Sequence, residues 1–250
     1  MNRLDGKVVL VTGAASGLGA ATALACAGAG ARLWLVDRDS DGLEKTAETI
    51  AVTGGEAGSF QADLSERQPC LDAVAAAIKH YGKLDALCNV AGITIMHRIE
   101  NVAEAEWQKT LAIILSAPFY LSQAAIPELI RNRGSIVNVA SSAGIKGTAY
   151  SVPYSSAKAG LIHMTRCMAM EYINEPIRIN AVAPGGMMTN IMKDTGFPPD
   201  LDRNLIARYA GIRPAVDPSE VANMIVYMLS EGSPFLHGSI VSVDGGITAG

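Results

Sequence analysis

Short apolar runs alternate with longer segments of helix-forming residues along the whole chain. Strands are predicted by runs rich in β-branched and other apolar residues near positions 7–11, 32–36, 57–62, 84–88, 135–140, 177–182 and 239–243. Helices are predicted between them, among others over positions 66–80, 103–115, 118–132 and 154–173. Because strands buried on both faces form continuous apolar runs, this alternation predicts an α/β fold: a single doubly wound, Rossmann-type parallel sheet with helices on both faces.

The sequence predicts one domain over residues 1–250. This length is enough for one large α/β domain with a sizeable core, and no internal repeat, low-complexity tract or linker divides it. The exception to the regular pattern is the segment 190–218, which contains Pro198, Pro199 and Pro214. Segments of that kind are often functional loops, so we expect a substrate loop or lid there; an ordinary surface helix is the alternative.

Composition and charge argue against several functional classes. The net charge of −4 provides no basic surface for nucleic acid or an anionic membrane, and no apolar run approaches the length of a transmembrane helix. The first strand begins almost at the N-terminus, which leaves no room for a signal peptide. The cysteines and histidines are scattered, so we expect reduced thiols, no metal site and a cytoplasmic location. They are Cys26, Cys70, Cys88 and Cys167, and His80, His97, His163 and His237.

A glycine-rich turn, residues 12–19, lies between the first predicted strand and a small, apolar helical segment over 20–29. This strand–turn–helix order is what a dinucleotide-binding loop requires. Gly13 allows the tight turn, Gly17 lets the backbone approach a pyrophosphate, and Gly19 allows close packing of helix on strand. The helix N-terminus, with its free N–H groups and dipole, favours such an anion.

The second predicted strand ends in Asp37, about 20 residues after the glycine-rich turn. An acidic residue at this point accepts hydrogen bonds from both ribose hydroxyls of NAD and repels the 2′-phosphate of NADP. Arg38 could instead bind such a phosphate, stack over adenine or point to solvent. The sequence therefore favours NAD(H) over NADP(H).

Tyr154 and Lys158 are four residues apart in a predicted helix and so share one face. A free tyrosine is a poor base at neutral pH because its pKa is about 10. A nearby ammonium favours the phenolate and lowers that pKa. The pair is therefore a candidate general acid/base.

Over essentially its whole length the chain resembles the short-chain dehydrogenase/reductase family. Seven segments in the family's order resemble its glycine-rich turn, adenine contact, Asn-Asn-Ala-Gly element, serine strand, Tyr-x-x-x-Lys pair, nicotinamide-side loop and C-terminal strand end. They lie at residues 12–19, 63–64, 89–92, 136–141, 154–158, 184–189 and 243–246. The resemblance implies an enzyme that transfers a hydride between a nicotinamide cofactor and a secondary alcohol or ketone. The implied cofactor-binding residues are Gly13, Ser16, Gly17, Leu18, Gly19, Asp37, Arg38, Asp63, Leu64, Asn89, Ala91, Gly92, Tyr154, Lys158, Pro184, Gly185, Met187 and Thr189.

Catalytic roles follow from the same resemblance for Ser141, Tyr154 and Lys158. Ser141 is chosen over Ser142 because it lies about a dozen residues before the tyrosine and three after Asn138. Tyr154 would exchange the proton on the substrate oxygen, and Ser141 would hydrogen-bond that oxygen. Lys158 would lower the tyrosine pKa and hold the nicotinamide ribose.

A homotetramer is expected because the helices near 103–115 and 118–132 are apolar on more than one side. In the family these two helices pair between subunits, and the C-terminal region forms a second interface. Their apolar residues are Leu111, Ile113, Ile114, Leu115, Phe119, Tyr120, Leu121, Ile126 and Leu129.

The substrate is predicted only as a class. The candidate pocket residues are mainly apolar and favour a hydrophobic or alicyclic alcohol, although they could equally be core residues. They are Ile93, Met96, His97, Ile145, Tyr150, Met187, Met188, Met192 and Phe197. One alternative function is reduction of 3-oxoacyl groups on acyl carrier protein, against which Asp37 and the acidic balance argue. A second is a non-catalytic cofactor-binding protein.

Ile114 is a departure from the family pattern. The family usually carries an asparagine here that helps to hold a water between the lysine and solvent, and isoleucine has no donor or acceptor for it. Three interpretations are open: a helix carbonyl holds the water alone, proton transfer is slow, or turnover on ordinary substrates is lost.

Overall fold

Seven parallel strands form one sheet in the order β3-β2-β1-β4-β5-β6-β7. A computed structural model describes residues 3–188, 198, 201–207 and 213–249. Every predicted strand is present within two residues of its expected bounds, which confirms the doubly wound sheet. The strands are β1 Val8–Thr12, β2 Arg32–Asp37, β3 Glu56–Gln61, β4 Ala86–Asn89, β5 Ser135–Val139, β6 Arg178–Pro184 and β7 Ile240–Val243.

The helices pack on both faces of the sheet. Along β1 and β2, successive side chains point to opposite faces. Val9, Val11 and Leu33 belong to the core under α1, α2 and α8, whereas Val8 and Leu10 belong to the core under α3, α5 and α6. The helices are α1 Gly17–Gly28, α2 Ser40–Val52, α3 Arg67–Tyr81, α4 Glu104–Leu111, α5 Ala117–Arg131, α6 Val152–Glu171, α7 Arg203–Ala207 and α8 Pro218–Leu229.

The two helices predicted over 103–115 and 118–132 are one continuous helix, residues 104–131, with a π-helical turn at Ala112–Ser116 between α4 and α5. Pro118, in the first turn of α5, has no N–H to donate to the carbonyl of Ile114 four residues earlier. The helical ladder therefore has a gap there, and a wider turn accommodates it. By length and composition this helix could cross a membrane, but the apolar window is half buried, and α5 packs on α3 and the sheet.

A buried polar chain connects the centre of the sheet to α6. Asn89 and Asn138 are register partners on β4 and β5, and the Asn89 Nδ2 donates to the Asn138 Oδ1 at 2.8 Å. The Asn138 Nδ2 donates to the Thr165 Oγ1 on α6 at 2.9 Å. Because buried polar groups need partners, this chain fixes α6 relative to the carboxyl ends of β4 and β5.

Candidate active site

A cavity of about 700 Å³ opens at the carboxyl ends of the strands, around the point where the strand order reverses between β1 and β4. Open α/β sheets bind ligands at such a point. Sixteen of the eighteen predicted cofactor residues line the cavity: Gly13, Ser16, Gly17, Leu18, Gly19, Asp37, Arg38, Asp63, Leu64, Ala91, Gly92, Tyr154, Lys158, Pro184, Gly185 and Met187.

The glycine-rich turn has no space for a side chain at Gly13 or Gly19. Gly13 has a φ of 69°, a backbone conformation that glycine adopts readily. A Cβ on Gly19 would lie 1.9 Å from the carbonyl oxygen of Gly13, so only glycine allows α1 to begin this close to β1. Ser16 is the N-cap of α1, and its side chain makes no capping hydrogen bond. First-turn N–H groups of a helix have no partner within the helix, so this end of α1 fits a pyrophosphate.

At the end of β2 the Asp37 carboxylate is held by two backbone N–H groups. One oxygen accepts from Ala15 and the other from Asp39, each at 3.1 Å. Each oxygen keeps further acceptor capacity on the cavity side. The arrangement fits a ribose diol, which needs two acceptors in fixed positions.

The Asp63 carboxylate follows β3. The Ser65 N–H donates to it at 2.9 Å. Hydrogen bonds from Ser65, then the charges of Arg38 and Lys109, hold the Asp63 pKa below its ordinary value, although burial opposes them. This part of the cavity therefore contains a charged acid flanked by two cations.

Ser141 and Tyr154 meet at the other end of the cavity. Ser141 follows β5 and caps a short 3-10 turn, Ser142–Gly144, by accepting the Ala143 N–H at 3.1 Å. Tyr154 lies in the first turn of α6. Burial raises the Tyr154 pKa above its ordinary value, and a hydrogen bond with Ser141 acts in the opposite direction. Both side chains line the cavity.

Close backbone packing holds the Ser141 turn against α6. A Cβ on Gly144 would lie 2.8 Å from the carbonyl carbon of Lys158 and 2.9 Å from the backbone nitrogen of Ala159. Backbone atoms cannot give way as a flexible side-chain end can. A side chain at residue 144 would thus push the Ser141 turn away from α6.

The Lys158 amine is buried among these groups. The residue is 3 % exposed, and its Nζ donates to the Val139 carbonyl at 2.5 Å. Nζ lies 5.7 Å from the centroid of the Tyr154 ring. Burial lowers the Lys158 pKa to about 7 because the charged form loses its hydration.

The structure does not show the expected lowering of the Tyr154 pKa by Lys158. Sequence reasoning predicted that the ammonium lowers the Tyr154 pKa, but burial dominates at both residues and favours the neutral phenol and the neutral amine. The opposing contribution at Tyr154 comes from Ser141. That prediction was wrong for the ligand-free protein, because desolvation cannot be read from residue spacing.

Several lining residues were missed by sequence reasoning. Ala105, Lys109 and Ile113 follow one another at four-residue intervals on the α4 side and face the cavity. That spacing was visible in the sequence, but nothing in it showed that this helix face would meet the cofactor loop. The adjacent Ile114, in the π-helical turn, is fully buried and is not among the lining residues.

Two predicted cofactor residues are not among those lining the cavity. The Asn89 side chain points into the sheet, to Asn138, and its Oδ1 is a buried acceptor with no protein partner. Thr189 lies outside the described residues.

The predicted substrate residues are dispersed. Ile93 and Met187 line the cavity. Met96 and Tyr150 are buried, whereas Ile145 and Met188 are exposed. The His97 Nε2 lies 3.2 Å from the Glu106 Oε1. Met192, Phe197 and about half of the predicted lid lie outside the described residues. Within the described ranges no group of three His, Cys, Asp or Glu residues could hold a metal ion.

Comparison with known proteins identifies the family. Residues 13–248 match the family model described as enoyl-(acyl carrier protein) reductase. The chain is 34 % identical to the 3-oxoacyl-(acyl-carrier-protein) reductase of Thermotoga maritima, over 98 % of this chain and 99 % of that protein. It is also 34 % identical to the 2,5-dichloro-2,5-cyclohexadiene-1,4-diol dehydrogenase of Sphingobium indicum, over 100 % of this chain and 99 % of that one.

Solved structures agree with the sequence relatives. A short-chain type dehydrogenase/reductase from Mycobacterium marinum superposes with a TM-score of 0.90 at 28 % identity, covering 100 % of this chain and 98 % of that one. A protein described as an NAD(P)-dependent gluconate 5-dehydrogenase from Beutenbergia cavernae, with NADP bound at low occupancy, gives 0.90 at 29 % identity, covering 100 % and 99 %. The chain belongs to the short-chain dehydrogenase/reductase family, whose members act on CH–OH groups with a nicotinamide cofactor.

The depressed Lys158 pKa predicts a pH dependence of stability. Between about pH 7 and pH 10.5 the unfolded chain keeps the Lys158 proton and the folded protein has released it, so folding becomes more favourable as pH rises. Below pH 7 both states are protonated and the contribution is constant. We expect the unfolding free energy of the wild type, minus that of Lys158→Met, to rise by up to about 1.4 kcal/mol per pH unit in this range.

Urea denaturation of both proteins without cofactor, at intervals from pH 6 to pH 9.5, measures this difference. Subtracting the Lys158→Met curve of unfolding free energy against pH from the wild-type curve removes the contributions of groups that titrate in both proteins. A difference that is flat above pH 7 would show that the Lys158 amine keeps its ordinary pKa.

Proposed function

We propose that this protein is an NAD(H)-dependent oxidoreductase for an apolar or alicyclic secondary alcohol or ketone. The observation that carries the proposal is the placement of Ser141, Tyr154 and the buried Lys158 amine in the cavity that the glycine-rich turn also lines. When bound, the nicotinamide ring supplies the hydride donor or acceptor.

The side chains perform the proton chemistry in this proposal. Tyr154 gives its phenolic proton to the substrate oxygen during reduction and takes it back during oxidation. Ser141 donates a hydrogen bond to the same oxygen and stabilises the charge that develops on it. Lys158, with a pKa of about 7, holds the nicotinamide ribose and replaces the tyrosine proton at neutral pH.

Asp37 supports NAD(H) as the preferred cofactor. Its oxygens are oriented by Ala15 and Asp39, so a 2′-phosphate there would meet a fixed negative charge. Arg38 and Lys109 also line the cavity and lie near Asp63, so the cations have an acid to neutralise them. Because Asp63 balances their charge, neither cation is left to bind the 2′-phosphate of NADP(H).

The cavity walls support an apolar substrate. Ile93, Ile95 and Met187 line the cavity together with Ser141 and Tyr154. Methionine adapts to irregular shapes, so the wall fits a ring as well as a chain. The Sphingobium indicum relative is a dehydrogenase of a cyclic diol.

The alternative function, reduction of 3-oxoacyl groups on acyl carrier protein, needs basic residues for an acidic partner. Arg131, Arg133 and Arg166 are the candidates, but Arg131 forms an ion pair with Glu128 on its own helix. The Thermotoga maritima relative carries this activity in its name. The second alternative, a non-catalytic binding protein, does not need Ser141, Tyr154 and Lys158 together in one cavity.

A homotetramer and a cytoplasmic location belong to the same proposal. Phe119 is 46 % exposed, and Leu111, Leu115 and Tyr120 on the same long helix are half buried. An apolar helix face in this state is suited to pairing with a second copy. Light scattering at micromolar concentration should give four times the mass of the chain, and a monomer would refute the tetramer. All four cysteines are free thiols, as in a reducing compartment.

Tyr154→Phe tests the function itself. With NAD⁺ and a panel of cyclic and open-chain secondary alcohols, the wild type should turn over at least one alcohol. Tyr154→Phe should lower kcat by about 100-fold or more, since it removes the proton donor, while the NADH dissociation constant stays within about twofold because the phenol adds little to cofactor affinity. Tyr227→Phe, on α8 across the sheet, is the matched control. A Tyr154→Phe protein that keeps more than a few per cent of kcat would contradict the assigned role.

Asp37→Ala tests the cofactor preference. The wild type should bind NADH much more tightly than NADPH, and Asp37→Ala should narrow the ratio of dissociation constants by about tenfold or more, because like charges in contact cost several kcal/mol. Asp39→Ser is the control, since it removes one nearby charge and keeps an oxygen to cap α2. Fluorescence titration gives all the constants. Equal wild-type affinities would rule out the preference.

Ile114→Asn tests whether proton transfer limits turnover. Ile114 is fully buried in the π-helical turn that packs against α6. If the missing polar group slows the proton path, asparagine should raise kcat or reduce a solvent isotope effect, with NADH affinity unchanged; Ile114→Val is the apolar control. If kcat and the isotope effect stay the same in a folded Ile114→Asn protein, the departure is neutral.

A further inference from the structure

Tyr150 has a backbone conformation that its side chain disfavours. Among the described residues only Tyr150 and Arg133 have a positive φ without being glycine, and the φ of Tyr150 is 63°. Large side chains rarely occupy this left-handed region. Tyr150 is also 6 % exposed, and it lies four residues before Tyr154 in the segment that leads into α6. Such strain persists only where surrounding contacts hold the residue, and it tends to occur near active sites.

The contacts of Tyr150 join two separate loops. Its backbone carbonyl accepts the His97 N–H at 2.9 Å. Its phenolic oxygen accepts the Asp202 N–H, also at 2.9 Å. The guanidinium carbon of Arg98 lies 5.6 Å from the centroid of its ring, within the range of a cation–π contact. One residue is thus tied to the loop after β4 and to the segment before α7.

The loop after β4 adjoins the cavity, and Tyr150 connects the segment before α7 to that loop. The loop after β4 contributes Ile93, Thr94 and Ile95 to the cavity wall a few residues before His97. Asp202 precedes α7 and accepts the Asn204 N–H at 2.8 Å, so the Tyr150 phenol fixes the point at which this short helix begins. Residues 201–207 fall within the segment that the sequence predicts to be a substrate loop.

A glycine at position 150 would satisfy the backbone without strain. The tyrosine adds what a glycine cannot provide, namely a buried ring under Arg98 and an acceptor for the Asp202 N–H. Neither the ring nor the hydroxyl is among the groups that line the cavity. The side chain therefore acts on the site through the loops that it holds.

We infer that Tyr150 is a positioning residue for substrate: its phenol holds the segment before α7 against the loop after β4 and so sets the outer wall of the alcohol site. The inference rests on the proposed alcohol dehydrogenase function. It assigns Tyr150 to substrate affinity and not to the proton chemistry of Tyr154.

Tyr150→Phe is the decisive variant. It keeps the ring, the Arg98 contact and the backbone conformation, and it removes only the acceptor for Asp202. Because one hydrogen bond of this kind is lost, amide hydrogen exchange over 201–207 should accelerate by about 2- to 10-fold in the cofactor-free protein. With the alcohol found by the substrate panel, KM should rise by a similar factor, while kcat and the NADH dissociation constant stay the same.

Two further variants separate this role from others. Tyr172→Phe, at the opposite end of α6, should change neither exchange nor KM. Tyr150→Gly relieves the backbone strain and removes the side chain. If only the backbone conformation at residue 150 affected the site, this variant would have the KM of the wild type. On our inference it raises KM at least as much as Tyr150→Phe.

Unchanged exchange over 201–207 in Tyr150→Phe would overturn the inference, as would a lower kcat at constant KM. The exchange measurement needs no turnover. Failure of the wild type to oxidise any alcohol would therefore refute the proposed function, while exchange would still decide whether Tyr150 holds the loop.

Discussion

The burial of one amine, that of Lys158, determines how the rest of the site is built. A charged amine removed from water is costly, so the protein must either pair it or leave it neutral. Nζ has the Val139 carbonyl as its partner, and a Cβ on Gly92 would lie 3.8 Å from it. Gly144 in turn lets the Ser141 turn lie directly on the backbone of Lys158. The carbonyl end of β5, the loop after β4 and the first turns of α6 thus meet around a group that each of them helps to enclose.

The sequence predicts most of this framework because the framework depends on local pattern. Apolar runs such as Val8–Thr12 specify buried strands, and Gly13 and Gly19 require a close approach of backbone that the structure contains. The π-helical turn at Ala112–Ser116 depends on Pro118. Pro118 is present in the sequence, but it predicts a π-helical turn only if the helix is known to continue past it. Long-range features, such as Lys109 beside Asp63, have no local signal.

The same division explains why pKa directions escaped sequence reasoning. Spacing in a helix correctly puts Tyr154 and Lys158 near each other, with Nζ 5.7 Å from the ring centroid. The spacing does not show how much hydration either side chain loses on folding. Once α6 is tied to β5 through Asn138 and Thr165, both groups lose hydration, and desolvation outweighs their mutual attraction.

A neutral phenol beside a neutral amine cannot form an ion pair. Because Tyr154 stays neutral and Lys158 is neutral above its pKa of about 7, the electrostatic attraction between them is weak above that pH. A different group, the Ser141 side chain, lowers the Tyr154 pKa against the effect of burial, and Ser141 is itself fixed by the Ala143 N–H. Ser141 is thus the side chain that opposes the effect of burial on the phenol. Because the Lys158 pKa is about 7, the amine can take up or release a proton near neutral pH. Two different side chains therefore act on the phenol and on proton supply: Ser141 directly follows β5, and Lys158 donates to the Val139 carbonyl on β5.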